Sequence, residues 1–82
     1  MATIQSLAEA AERALCIDIT ITPSRRAAHY ADETGQWYWL TADDLRYAIA
    51  CADEHGADAY SHWCAGAGKP VRTARSIRAL EG

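Results

Sequence analysis

The sequence predicts an α+β domain: one three-stranded antiparallel sheet with helices packed on one face, in the order α-β-β-β-α, then a further helix or loop. Three observations carry this expectation. Apolar residues from Ile4 to Leu15 fall at helical spacing, isoleucine alternates with polar residues over 17–21, and two short runs flank Asp32, Glu33, Thr34 and Gly35. At 82 residues the chain is read as a single small domain, residues 1–82, with a modest core and little room for a substrate cleft.

The first helix places Ile4, Leu7, Ala8, Ala11 and Leu15 on one inward stripe. Ser6 and Glu9 have capping-box spacing, with Thr3 as an alternative cap. In the next segment Ile17, Ile19 and Ile21 lie on one face and Asp18, Thr20 and Thr22 on the other, and Pro23 ends the strand. A hairpin follows, with one strand over 26–31, a turn through Asp32 to Gly35, and a second strand over 36–40. Thr41 and Asp44 then have capping spacing, and Leu45, Ala48, Ile49 and Ala52 form a helical stripe over 42–55 that Gly56 ends.

Beyond Gly56 the patterning weakens. Residues 57–68 fit a short helix capped by Asp58 or an irregular segment, with Gly66 and Gly68 as a joint. The final stretch, KPVRTARSIRALEG, is expected to be a helix with Pro70 in its first turn, although Val71, Thr73 and Ile77 also fit a strand.

The strand pattern raises a question of phase. Trp37 and Trp39 share one sheet face, Tyr38 and Leu40 the other, and helices on one side cover only one of them. With Tyr38 and Leu40 toward the isoleucines, both tryptophans stand on the open face, where paired tryptophans point to a partner. In the reverse phase the tryptophans are core and Tyr38 is outside.

Composition excludes several classes. No apolar stretch has the length of a membrane span, and the N-terminus lacks the basic start and apolar block of a signal peptide, so a cytoplasmic protein without a membrane association is expected. Cys16, Cys51 and Cys64 are odd in number and are expected as free thiols. Lys69, Arg72, Arg75 and Arg78 outnumber Glu81 by three, so the rest of a chain of net charge −3 carries −6. This basic end is the candidate nucleic-acid-binding segment, because three-residue spacing keeps arginines near one side of a helix. An acidic balance over the rest of the chain weighs against DNA binding, and a solvated helix face, or pairing with the acidic helix from Asp43 to Glu54, accounts for the arginines better.

No catalytic or cofactor signature emerges. Cys51, His55, His62 and Cys64 are zinc-ligand types, but no Cys-x2-Cys knuckle is present, and Cys51 and His55 fall at the edge of an apolar helical arc. No metal or cofactor is expected. A Cys/His nucleophile pair lacks any flanking signature. His29, alone in its strand, reads as a surface or cross-strand residue. GAGKP lacks the glycine spacing and following Ser or Thr of a phosphate loop. Asp43 and Asp44 suit a helix N-terminus, while Asp53 and Glu54 sit on its polar arc.

A small acidic α+β body with exposed aromatics thus reads as a binding module and not an enzyme. Its candidate partner-binding residues are Trp37 and Trp39, surrounded by Asp32, Glu33, Asp43 and Asp44. In size, acidity and lack of catalytic motifs the whole chain resembles the small phage-encoded anti-CRISPR proteins. That resemblance implies binding to a CRISPR effector complex or nuclease in the bacterial host cytosol, blocking recognition or cleavage of target DNA. The alternatives are a small nucleic-acid-binding or transcription-regulating protein that uses Lys69, Arg72, Arg75 and Arg78, and a homodimer built on the open sheet face.

Overall fold

A computed structural model describes residues 3–71 apart from Ser24. The elements in order are α1 (Ile4–Leu15), β1 (Thr20–Ile21), β2 (Ala28–Ala31), β3 (Trp37–Leu40), α2 (Ala42–His55), a 3-10 turn (Gly56–Asp58), α3 (Ala59–Gly66) and β4 (Lys69–Val71). The α+β class is as expected: β1, β2 and β3 form an antiparallel sheet, and the helices pack against one face of it. The sheet also acquires a fourth strand, giving the order β1-β2-β3-β4.

Thr3, not Ser6, caps α1. Ser6 N–H donates to Thr3 Oγ1 at 3.1 Å and Thr3 N–H donates back to Ser6 Oγ at 3.0 Å, so two groups without helical partners are satisfied reciprocally. The helix ends at Cys16 in the left-handed conformation, φ 57°. The expected box at Thr41 and Asp44 forms at the start of α2, and Gly56 ends that helix with φ 56°. Asp58 makes no side-chain cap bond to α3.

Strand β1 is shorter than its alternation predicts. Ile17 N–H donates to the Glu12 carbonyl at 3.3 Å, and Ile19 N–H donates to the Glu12 carboxylate at 3.2 Å. The end of α1 thereby holds residues 17–19, and β1 pairs with β2 only through Thr20↔His29 and Ile21↔Ala28. Thr22, expected on the polar face, is buried, where its hydroxyl donates to the Ala27 carbonyl at 3.0 Å across a tight turn.

The β2–β3 hairpin turns as predicted. Asp32 Oδ1 accepts from Thr34 N at 2.9 Å, Thr34 Oγ1 at 2.6 Å and Gln36 N at 3.0 Å, and Gly35 supplies φ 84°. Register then sorts the side chains. Ile21, Ala28 and Leu40 align in one row, and Tyr30, Tyr38 and Pro70 in the next row of that face, which meets the helices. Thr20, His29 and Trp39, together with Ala31 and Trp37, fall on the opposite face.

The core gathers Leu7, Ala8, Ala11 and Leu15 from α1, Leu45, Ala48 and Cys51 from α2, and Ala59 and Trp63 from α3 over the Ala28, Tyr30 and Leu40 face. Trp63 is its largest fully buried side chain.

A helix starting at Lys69 is not what forms: Lys69–Val71 is a strand, paired antiparallel to β3. Proline disfavours the helical region for the residue before it, and an edge strand bonded on one side tolerates the missing N–H of Pro70. Gly68, at φ 72°, turns the chain into β4 where an added Cβ would meet Leu40 Cδ2 at 3.1 Å. The remainder of the expected helix, residues 72–82, lies outside the described residues.

Candidate protein-binding face

Because Tyr38 and Leu40 take the helix side, alternation places Trp37 and Trp39 on the other face of β3. Trp39 is 48 % exposed, and Trp37 is half-buried against His29, with ring centroids 4.9 Å apart and planes tilted by 53°. His29 is therefore not a surface residue: it is 1 % exposed, cross-strand to Thr20 and Trp39.

The four candidate acidic residues do not form one ring around both tryptophans. Asp32 and Glu33 line a groove of about 530 Å³ with Trp37, Asp18 and Tyr60. Asp44 and Thr41 line a second groove, of about 340 Å³, with Trp39, Gly66 and Gly68. Asp43 lines neither and pairs with Arg46 at 2.9 Å across an exposed helical turn, a contact of small energetic weight. Each tryptophan thus has its own groove, that of Trp37 lined by three carboxylates and that of Trp39 by one.

The carboxylates differ in how tightly they are held. Hydrogen bonds from Thr34 hold the Asp32 carboxyl below its usual pKa, with further support from the Gln36 and Thr34 amides and Tyr38, against a partial opposing effect of desolvation. Asp44 is committed to its cap, accepting from Thr41 N at 2.9 Å. Asp18 and Glu33 are exposed.

Three contributors were not singled out by sequence pattern. Asp18 and Tyr60 reach the Trp37 groove from distant segments. Tyr47, 40 % exposed, packs its ring at Gly66, where an added Cβ would lie 3.0 Å from Cε2, and so continues the aromatic surface past the Trp39 groove. The only legible signal for Tyr47 was an aromatic on the outer arc of a helix.

The zinc-type residues do not converge on one point. Cys51 is buried in the core, His55 stacks on His62 with centroids 3.6 Å apart, and Cys64 Sγ lies 3.7 Å from Tyr30 Oη. Among the described residues no group of three His, Cys, Asp or Glu is placed to hold a metal ion. Burial, chiefly, and then the hydrogen bonds with Cys64 and Tyr60 push the Tyr30 phenol far above its ordinary pKa.

Of the candidate nucleic-acid residues, Lys69 sits on β4 opposite Trp39, while Arg72, Arg75 and Arg78 lie outside the described residues. Among the described residues no helix is long and apolar enough to cross a membrane. No protein-family model matches the chain, and neither a curated protein nor a solved structure matches it.

Proposed function

We propose that this chain is a non-enzymatic, protein-binding inhibitor that docks through the sheet face bearing Trp37 and Trp39. The observation that carries the reading is Trp39, nearly half exposed on a strand whose other face packs toward the core through buried Leu40 and partly buried Tyr38. Tryptophan is enriched among residues that dominate interface energetics, and a large exposed aromatic beside a groove has ready-made complementarity for an apolar anchor. The neighbouring carboxylates steer encounter with a basic partner.

The resemblance in size and acidity to anti-CRISPR proteins supplies the finer form of the proposal. The partner is a CRISPR effector complex or nuclease in the cytosol of a bacterial host, and the carboxylates occupy a basic surface that target DNA would otherwise use.

The deciding experiment adds purified chain to purified effector complexes of several CRISPR types and measures binding and cleavage of target DNA. Stoichiometric inhibition by wild type, lost in Trp39→Ala while the circular dichroism spectrum and Tm stay unchanged, supports the proposal. Absence of inhibition across the types overturns its finer form. Association of the chain with itself that Trp39→Ala abolishes assigns the face to a homodimer. Affinity for duplex DNA that falls steeply with salt moves the basic C-terminal segment to the front.

A further inference from the structure

We propose that the groove beside Trp37 seats an arginine side chain of the protein partner, a proposal that rests on the protein-binding reading above and names the chemistry at one end of its surface. The groove originates in the backbone. Glu12 holds residues 17–19 against the end of α1, so these residues part from β2 beyond the Thr20↔His29 pair. The resulting space of about 530 Å³ is within the range of sites that enclose a small group.

Its walls select by charge and shape. Asp18, Asp32 and Glu33 line it, and among the described residues no lysine, arginine or histidine does. Asp32 spends Oδ1 on the hairpin turn and acts as a fixed negative charge, leaving the exposed Asp18 and Glu33 as the carboxylates able to meet a ligand directly. Trp37 and Tyr60 add aromatic side chains to the lining, and Ile17 adds an apolar one.

A guanidinium satisfies all of these at once, because it is planar, stacks on aromatic rings and bonds carboxylates in pairs, while its methylene stem covers apolar surface. An apolar occupant would strip water from three carboxylates without compensation, and an anion would be repelled.

The test titrates the isotope-labelled full chain with acetyl-Gly-Arg-Gly-amide and, in parallel, with the peptide carrying citrulline, the neutral isostere of arginine. The expected result is saturable shifts at the Trp37 indole N–H and the amides of Asp18, Ala31 and Glu33, about tenfold weaker with citrulline or in the Asp18→Asn/Glu33→Gln variant. Trp39→Ala leaves these shifts in place, so the groove and the inhibitor reading fail independently. No saturable shift at Trp37, or shifts spread equally over Asp43, Asp53 and Glu54, overturns the proposal. Binding that appears only in an Arg72→Ala/Arg75→Ala/Arg78→Ala variant also overturns it, by giving the groove to the chain's own arginines.

Discussion

The indole N–H of Trp63 donates to the backbone carbonyl of Asp44 at 2.8 Å, joining the buried centre of α3 to the first turn of α2. The same ring lies 5.1 Å from Tyr30 and 6.2 Å from Tyr60, so one side chain links two helices and the sheet. Trp63→Phe keeps most of the apolar volume and removes the donor. We expect it to cost about 1 kcal/mol for the lost hydrogen bond, plus a cavity contribution, whereas Trp63→Ala costs about 3–5 kcal/mol. Urea denaturation measures both, and equal losses would show that the apolar volume Phe retains carries nothing beyond the hydrogen bond.

Trp37 and Trp39 occupy one face but have different surroundings, and their alanine variants separate accordingly. Trp39→Ala is expected to change stability by no more than about 0.5 kcal/mol, as for a surface substitution. Trp37→Ala removes the ring packed on His29 and lowers stability measurably. Thermal unfolding of the two variants decides this, and comparable Tm losses would place Trp39 in the fold's own packing.

The Asp32 carboxyl ties the hairpin turn, and its pKa in the folded chain is lowered, first by Thr34. Its contribution to stability is therefore complete above the unfolded carboxylate pKa, about 3.9, and is lost as pH falls through the lower folded value. The stability gap between wild type and Asp32→Ala should narrow through that acid window. Denaturation at stepped pH reads the gap, and a constant difference down to the lowest pH would remove the charge from the account.

Glu12 sets where β1 begins. Glu12→Ala deprives Ile19 N–H of its carboxylate acceptor, and the expected outcome is faster amide exchange at Ile19 and a narrowed or closed groove beside Trp37. Hydrogen exchange followed by nuclear magnetic resonance checks the first, and arginine-peptide titration of the variant checks the second. Unchanged exchange at Ile19 would mean that another contact holds residues 17–19.

Local signals account for what was legible. Helix α2 runs from 42 to 55 as its pattern predicts because its start, stripe and stop lie within sixteen consecutive residues: the Thr41–Asp44 box, Leu45 and Ala48 at helical spacing, and Gly56 beyond the last turn. The hairpin is equally local, since Asp32, Thr34 and Gly35 build the turn among themselves. The candidate site was legible only in part. Alternation states that Trp37 and Trp39 share a face, but not which face that is.

By itself, then, the sequence determined the α+β class, the two capped helices, the hairpin and the pairing of tryptophans on one side of a strand. Tertiary structure decided that those tryptophans face away from the helices, that Trp63 fills the core, and that Lys69–Val71 joins the sheet. It also decided that Glu12 holds residues 17–19 at the end of α1, ahead of the β1–β2 pairing, beside a groove lined by Asp18, Asp32 and Trp37. The reason is the range of the interactions. Caps, turns and alternation act between residues a few positions apart, whereas strand phase and edge pairing depend on burial against segments tens of residues away.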